Sequence, residues 1–415
     1  MTSTIERPTA TKALDSRITG GRSEVVHTHV NATPSPIDHL TPEQIEEIGR
    51  ELDEIRQEVF NSLGEQDAAY IRRVIAVQRW LELGSRGVLL FSRHPLAWVV
   101  GTAGLSVAKI LDNMEIGHNV MHGQWDWMRD PKIHSSTWEW NTVSPAEQWK
   151  HSHNEIHHTY TNVVGKDNDL GYGIMRVDDA QRWYPAYLVQ PLLNLVNATF
   201  FEYGIAAYDL ELGKNWKTRK TNPAFQADAA HVMAKIKRLA LKDYVLWPAL
   251  SGPGFVSTLT ANFTSNIVRN YWTHSVIMCG HFPQGVETFS KTSIEGETRG
   301  EWYLRQMLGS ANISGSKPMH IMTGYLSHQV EHHLYPDMPS PKLAEISPRI
   351  QDLFQRYGLT YVTGPLHTQV ASAWKEIIRL SLPNDTSLKQ TVQILATQGM
   401  KGLKKRARQT RNIYA

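Results

Sequence analysis

The most constraining feature of the chain is the grouping of its histidines. Thirteen of the 19 histidines lie in two windows, residues 118–158 and 274–333. Seven of these thirteen form three clusters, which are His118-Asn-Val-Met-His122, His153-Asn-Glu-Ile-His157-His158 and Gln329-Val-Glu-His332-His333. Imidazole is a common ligand of zinc, copper, iron and nickel. The clusters therefore predict a metal site assembled from distant segments of the chain.

The spacing within the clusters suits more than one ion. On an α-helix, residues four apart lie on the same face, which places His118 with His122 and His153 with His157. Two adjacent histidines point about 100° apart on a helix of ~3.6 residues per turn, so a doublet can serve two neighbouring ions. The pattern favours a two-metal centre.

Several other kinds of metal site are excluded. The chain has one cysteine, Cys279, so zinc or iron–sulfur sites built from several thiolates cannot form. The zinc-protease signature His-Glu-x-x-His is also absent, because Glu155 and Glu331 stand at the wrong offsets from their neighbouring histidines.

Long uncharged stretches predict crossings of a membrane. Residues 244–268 and residues 183–201 carry no formal charge, and each stretch is long enough to cross a hydrocarbon core of ~30 Å. A third apolar region, residues 87–111, is interrupted by charged residues and fits either one tilted span or a short hairpin. Buried core helices are the alternative, since the mean hydropathy is only -0.37.

The charge pattern conflicts with a simple count of two crossings. Eight basic residues lie between the two uncharged stretches: Lys214, Lys217, Arg219, Lys220, Lys235, Lys237, Arg238 and Lys242. Two crossings would put them on the side opposite the histidines, whereas basic loops usually face the cytoplasm. Either this connection re-enters as further helices or the number of spans is wrong.

Composition divides the chain into five segments. We predict a disordered N-terminal arm (1–40), an amphipathic helical segment (41–84), a membrane domain with the histidine clusters (85–345), a C-terminal helical cytosolic segment (346–399) and a basic tail (400–415). The tail could contact anionic lipid headgroups or the phosphates of coenzyme A. A net charge of +3 and the lack of zinc-finger or P-loop patterns argue against a nucleic-acid partner.

A helix of roughly 20 residues is predicted to begin at Thr41. Thr41 is a suitable N-cap, and it is followed by Pro42 and by acidic residues in the first turn. The apolar positions recur every three to four residues, at Ile45, Ile48, Leu52, Ile55 and Val59. This periodicity predicts an amphipathic helix that packs on the rest of the protein.

The histidine clusters and the hydrophobic segments together resemble the membrane-bound fatty acid desaturase superfamily. The stretch Gly-Tyr-Leu-Ser-His-Gln-Val-Glu-His-His-Leu-Tyr-Pro over residues 324–336 closely matches its third histidine box, and the likeness covers residues 85–345. Within the superfamily, the chain is most similar to bacterial long-chain acyl-CoA desaturases of the stearoyl-CoA or linoleoyl-CoA type. The resemblance implies an all-α, multi-pass fold, with helical hairpins across the bilayer and a cytosolic helical cap that holds a diiron site.

The resemblance also implies a ligand set, carried over position by position. The metal ligands would be His118, His122, His153, His157, His158, His332 and His333, with His281 recruited from the region between the second and third boxes. Gln329 and His274 are further candidates for the metal site or its surroundings, and His328 is a weaker one. His151 is expected at the surface or behind the ligands. Asn119 replaces a common Asp, so Asp112, Asn113 or Glu115 could orient a ligand instead.

The implied reaction is oxygen-dependent desaturation. Such enzymes use two iron ions, O2 and two electrons to place a cis double bond in a long-chain acyl-CoA; an acyl phospholipid remains an alternative substrate. The His-Pro-Gly-Gly motif of a fused cytochrome b5 is absent, which implies a separate ferredoxin-like or flavin-linked NAD(P)H reductase. Membrane lipid is the other expected partner, and the resemblance places the protein in the bacterial cell membrane with its active site facing the cytoplasm.

Two other functions stay open on the sequence alone. A membrane diiron hydroxylase or ketolase acting on an alkane, a lipid or a carotenoid uses similar histidine boxes, and it would give an oxygenated product rather than an alkene. A metal transporter would place histidines inside the membrane spans, whereas the three boxes here lie outside the uncharged stretches.

Overall fold

The described part of the protein is mostly helical, as predicted for an all-α chain. The computed structural model describes residues 35–167 and 169–407; the predicted disordered arm lies mostly outside these residues, as does the end of the basic tail. Ten helices of ten residues or more occur in the described part: α1 Pro42–Ser62, α2 Glu65–Leu89, α3 Pro95–Leu111, α4 Gln190–Thr199, α5 Pro223–Ala240, α6 Phe255–His281, α7 Arg299–Leu308, α8 Ser340–Arg356, α9 Leu366–Ser381 and α10 Leu388–Ala407.

Shorter elements connect the long helices. The short α-helices are Asn119–Met121, Ala146–Trp149, His158–Tyr160, Phe201–Asp209, Leu212–Asn215, Trp247–Leu250, Lys317–Met322 and Gln329–Leu334. The π-helical segments are Asp112–His118, Lys150–His157 and Leu241–Leu246. The 3₁₀ turns are Asp126–Met128, Leu170–Gly173, Pro185–Val189, Gly252–Gly254, Thr292–Ile294 and Leu326–His328. Two three-residue strands, β1 Asn312–Ser314 and β2 Thr363–Pro365, pair in parallel.

Helix α1 begins where the sequence predicts. The Thr41 hydroxyl accepts a hydrogen bond from the Gln44 backbone N–H, and the Gln44 side chain accepts one from the Thr41 backbone N–H. This reciprocal cap satisfies two donors at the helix start. The predicted apolar face is buried at Ile45, Ile48, Leu52 and Ile55. These side chains join the largest hydrophobic core, which also takes residues from α7 and α8.

Two long helical hairpins form the apolar part of the molecule. The first hairpin consists of α2 and α3, which are joined by a turn at residues 90–94. The second consists of α5 with its continuation to residue 250, and α6, which are joined by a turn at residues 251–254. The two turns touch, because the Thr258 hydroxyl donates a hydrogen bond of 2.9 Å to the Leu89 carbonyl and lies 2.8 Å from the Ser92 hydroxyl. Both hairpin tips therefore lie together.

The predicted spans at residues 183–201 and 244–268 are not single helices. In the first, α4 has only ten residues, or ~15 Å at 1.5 Å per residue, about half of a bilayer core. The second is interrupted by the turn Gly252–Gly254, and α6 starts at Phe255. Within the described residues, one helix, Pro95–Met121, is both long and apolar enough to cross a bilayer, with a mean hydropathy of 1.2.

The basic connection packs against the segment between the first and second histidine clusters. The Lys235 ammonium on α5 donates to the carbonyls of Trp140 (3.1 Å) and Ser144 (2.9 Å) and pairs with Glu139. Those three partners belong to the segment between the first and second clusters. The conflict in the charge pattern depends on a crossing at residues 183–201, and the ten-residue α4 in that stretch gives such a crossing no support.

Candidate metal centre

The three histidine clusters converge at one place in the folded chain. In a first group, the ligand atoms of His118, His122, His153 and His332 all lie within 4.8 Å of one another. In a second group, those of His157, His281 and His333 do the same. The structure thus brings together residues that are as far as 215 positions apart along the chain (333 minus 118).

His158 lies between the two groups. Its ring centroid is 4.7 Å from that of His122 in the first group and 4.5 Å from that of His333 in the second. The doublet of the third cluster divides as its spacing predicts, because His332 belongs to the first group and His333 to the second. All eight predicted histidine ligands therefore occupy one site, and their binding of metal stays a prediction.

The ends of four helical segments position these side chains. The first cluster follows α3, which continues through the π-helix Asp112–His118. The second lies on the π-helix Lys150–His157 and the first turn of the next helix. The third lies on the short helix Gln329–Leu334, and His281 is the last residue of α6. π-Helical insertions in α-helices are rare and occur often at functional sites.

The unpaired nitrogens of the site suit a metal. Buried polar atoms are normally hydrogen-bonded, yet six buried imidazole nitrogens here have no hydrogen-bond partner within the described chain. They are His122 Nε2, His153 Nε2, His158 Nδ1, His158 Nε2, His332 Nδ1 and His332 Nε2. Bound cations would satisfy one nitrogen on each of these four rings, so the donor set fits the metal centre that the sequence predicts.

Two aspartates hold the second cluster. His157 Nδ1 donates to Asp167 Oδ2 at 2.9 Å, and His153 Nδ1 donates to Asp169 Oδ2 at 2.8 Å. Carboxylates behind metal-ligating histidines fix the ring orientation and the tautomer. The sequence interpretation missed both residues, although an Asp-Asn-Asp run that begins nine residues after a histidine cluster is a usable signal.

Asn119 itself orients the first cluster. Its side-chain oxygen lies 2.9 Å from His118 Nδ1, and its amide nitrogen donates to the Glu115 backbone carbonyl at 3.1 Å and to the Glu115 carboxylate at 3.3 Å. Asp112 instead accepts from Asn141, and Asn113 from Thr273. The carboxylate expected near the first cluster is thus that of Glu115, which reaches the His118 ring through Asn119.

Burial and charge set the protonation of the imidazoles. Burial lowers the pKa values of His158, His332 and His333 well below the usual range, and the neighbouring histidines lower them further. For His157, burial also lowers the pKa, but the carboxylates of Asp167 and Asp169 outweigh it and raise the pKa to about 9. Metal ligands must be unprotonated, so most of the site is neutral and ready to bind.

The other candidate residues occupy different positions. Gln329 lies in the site, with its side-chain nitrogen 3.1 Å from Nε2 of His281 and 3.1 Å from Nε2 of His333. His274 lies outside both histidine groups, since it hydrogen-bonds Asn194 at 2.9 Å. His328 packs against the ring of a neighbouring histidine, with centroids 4.6 Å apart.

His151 lies at the surface, as expected, where it pairs with Glu155 at 2.7 Å. Although it belongs to the same helical segment as His153, it points away from the cluster.

A largely apolar cavity begins at the histidines. Its lining includes His118, His153, His157, His281 and Gln329 at one end. Aromatic and aliphatic side chains line much of the remainder, namely Met114, Trp140, Trp149, Tyr172, Phe201, Ile205, Tyr208, Ile277, Phe282 and Leu326. Such a cavity suits an extended apolar ligand placed beside the cluster.

Comparisons with known proteins show which family the chain resembles. A family model described as fatty acid desaturase matches residues 94–365. The NADPH-dependent stearoyl-CoA 9-desaturase of Mycobacterium tuberculosis is 50% identical over 350 residues, which cover 83% of this chain and 82% of the relative. More distant relatives include the sn-1 linoleoyl-lipid 6-desaturase of Synechocystis sp., 25% identical over 64% of this chain and 76% of the relative.

Proposed function

The chain belongs to the fatty acid desaturase family, and on that premise we propose that it introduces a cis double bond into a long-chain fatty acyl-CoA with O2 as the oxidant. This membership confirms the resemblance predicted from the histidine boxes. The observation that carries the proposal is the convergence of eight histidines beside an apolar cavity. The similarity to a stearoyl-CoA 9-desaturase supports stearoyl-CoA as the substrate and position nine as the site of the new bond.

Two iron ions would be held by the two histidine groups. The first ion would take His118, His122, His153 and His332, and the second would take His157, His281 and His333, with His158 between them and Gln329 beside the second. Iron suits such imidazole ligands. When bound, the iron pair supplies the reduction of O2 and the removal of two hydrogens from an unactivated methylene pair.

The protein itself orients the metal ligands and the acyl chain. Asp167 and Asp169 hold the rings of His157 and His153 in one orientation. The cavity excludes water and fixes the acyl chain, so that one methylene pair faces the histidines. No side chain needs to act as a nucleophile. Two electrons must come from outside, and the NADPH dependence of the mycobacterial relative supports a separate ferredoxin-like or flavin-linked reductase.

The hairpins would cross the membrane four times. Long apolar side chains on both hairpins are exposed, including Val77, Trp80, Leu96, Val99, Leu241, Val245, Val256 and Phe263. A surface of this kind is typical of contact with lipid. Because the basic residues before α6 lie on the histidine side, the positive-inside rule favours a site that faces the cytoplasm.

The proposed reaction can be tested by product analysis. We expect a bacterial host that expresses the chain with a flavin-linked NADPH reductase to convert stearoyl-CoA to a cis-9 monoene, detected by gas chromatography with mass spectrometry. His332→Ala should abolish the product and lower the iron content, because it removes a ligand from the first group. The matched control is His151→Ala, which removes an exposed histidine of the same region and should leave both unchanged.

Other products would refute the proposal. A hydroxylated or keto product from the wild-type protein would identify the hydroxylase or ketolase alternative. Full activity of His332→Ala would remove this residue from the metal assignment.

A further inference from the structure

A buried ion pair lines the cavity at a distance from the histidines along α6. Glu202, in the helix Phe201–Asp209, pairs with Arg269 of α6, and their side chains are only 8% and 4% exposed. Both residues line the cavity. We propose that this pair, together with Asn270, is the stop for the methyl end of the acyl chain and sets the longest substrate accepted. The inference rests on the proposed desaturation of an acyl-CoA.

Helix α6 links the stop to the histidines. Ile277, Thr273, Asn270 and Arg269 line the cavity along the helix that ends at His281. Twelve residues separate Arg269 from His281 (281 minus 269), which corresponds to ~18 Å of helix at 1.5 Å per residue. This length accommodates an extended acyl segment beyond the reacting carbons, and the ion pair lies at its far end.

The pair is held firmly in its apolar surroundings. The Arg269 guanidinium also donates to the Asn270 side-chain oxygen at 3.0 Å, and the Asn270 amide donates to the Thr199 carbonyl at 3.0 Å. Separating two buried opposite charges costs far more than keeping them together. An acyl methyl group offers neither partner a hydrogen bond, so a chain that is too long cannot displace the pair.

Beyond the stop lies a second apolar space. Glu202 and Asn270 also line a neighbouring crevice, whose other walls are Phe200, Tyr203, Tyr244, Phe263, Asn266 and Ile267. The crevice is on the exposed surface, since Phe200 and Phe263 are about half exposed (48% and 49%). Glu202, Arg269 and Asn270 therefore form a thin partition. It separates the acyl cavity from an apolar surface into which a longer chain could extend.

The experiment opens the partition and measures chain-length preference. Membranes with the active enzyme and its reductase receive equal amounts of stearoyl-CoA and behenoyl-CoA, which is four carbons longer, and the two monoenes are quantified by mass spectrometry. The double variant Glu202→Ala/Arg269→Ala removes both charges together, so neither is left unpaired. We expect the ratio of long to short product to rise roughly tenfold or more, in line with the discrimination that a pocket exerts on extra methylenes.

Two further variants make the result decisive. Asn270→Ala opens the same partition and keeps both charges, although it removes one hydrogen-bond acceptor of Arg269. It should raise the ratio by a smaller factor even if the double variant fails to fold. Tyr203→Ala is the matched control, because Tyr203 lines only the crevice and its truncation should keep the wild-type ratio.

The proposal and its premise fail in different ways. A wild-type protein that forms no monoene from stearoyl-CoA would overturn the proposed function. If the wild-type protein is active, and if the double variant or Asn270→Ala has wild-type iron content but an unchanged ratio, the stop is overturned. Equal loss of activity on both chain lengths would also overturn it, because it would place the pair at the carboxyl end of the substrate.

Discussion

At the scale of single residues, the site depends on side chains that do not touch the proposed metals. Asp167 accepts a hydrogen bond from His157 through Oδ2, and the same oxygen accepts the Asn162 backbone N–H at 2.8 Å. Its other oxygen accepts the backbone N–H of Asp169 at 2.9 Å. The Asp167 side chain is fully buried, with 0% of its surface exposed. One carboxylate thus fixes both a ligand ring and the loop that supplies the second aspartate.

We expect Asp167→Asn to weaken metal binding. The amide can present its nitrogen to His157 and can no longer neutralise a charged ring, and loss of such partners typically lowers metal affinity or activity by about 10–100-fold. Iron per chain, measured by mass spectrometry after purification in limiting iron, should fall. Asp352→Asn is the control, since Asp352 is 64% exposed and pairs with Arg356 at the surface. Wild-type iron content in Asp167→Asn would contradict the role assigned to this carboxylate.

Residue spacing predicts the ligands better than it predicts their supports. Histidine doublets are visible along the chain, and all eight proposed ligands meet in the structure. Their hydrogen-bond partners depend on how a loop folds back. The loop that carries Asp167 turns through Asn162 and Gly165, both with positive φ, and no periodicity in the sequence encodes that turn.

At the scale of helices, the N-terminal helix α1 braces the site through a close contact of glycines. A Cβ atom at Gly49 of α1 would lie 3.2 Å from the Cα of Gly300 in α7, and one at Gly300 would overlap the Ile45 carbonyl. Beside this contact, Arg299 pairs with Asp53 at 2.6 Å. Helix α7 then places the Gln306 side-chain oxygen 3.3 Å from His333 Nδ1. The amphipathic helix therefore supports the second histidine group from a distance.

Gly300→Ala should separate these two helices. Overpacking of this kind typically costs about 1–3 kcal/mol, and we expect a lower thermal unfolding midpoint and a lower iron content, because α7 supports His333. Gly84→Ala is the same substitution at an exposed position of α2, where an added Cβ meets no atom within 4 Å. It should stabilise the protein by about 0.4–1 kcal/mol. Equal effects of the two substitutions would contradict the close contact.

Helix type was the main property that the spacing of the histidines could not reveal. The four-residue interval predicts one α-helical face, yet residues 150–157 form a π-helix. His153 and His157 still stack, with centroids 5.0 Å apart, but they belong to different histidine groups. π-Helical segments are rare and occur often at functional sites, and here the segment meets histidines that are distant in the chain.

At the scale of the whole molecule, the histidine site joins parts of the chain that are otherwise separate. It takes side chains from the end of α6, the extension of α3, the segment between α3 and α4 and the helix before α8. A metal that binds only the folded state stabilises it by about 2.7 kcal/mol per site when its concentration is a hundredfold above the dissociation constant. The proposed iron pair would thus link both hairpins to the short helical segments that carry the second and third histidine clusters.

Removal of iron should therefore lower global stability. We expect a chelator to reduce the thermal unfolding midpoint of the purified wild-type protein in detergent, because the eight buried imidazoles lose the cations that satisfy them. The midpoint of His332→Ala should fall less on chelation, since this variant begins with less iron. A midpoint that chelation leaves unchanged in the wild type would argue against a structural contribution of the metal.

Membrane topology gives the sharpest test at this scale. A crossing at residues 183–201 would put the basic connection on the side opposite the histidines, whereas the packing of α5 favours the same side. With Cys279 replaced by Ser, single cysteines can be introduced at the exposed positions Arg93, Glu155 and Lys220 and labelled in intact cells with a thiol reagent that does not cross membranes. Four crossings put Arg93→Cys at the outer hairpin tip, where it should react. Glu155→Cys and Lys220→Cys should react only after the cells are opened, since α5 packs against the segment between the first two histidine clusters. A Lys220→Cys variant labelled from outside would restore the crossing at residues 183–201, and it would separate the basic connection from the histidines that the structure places beside it.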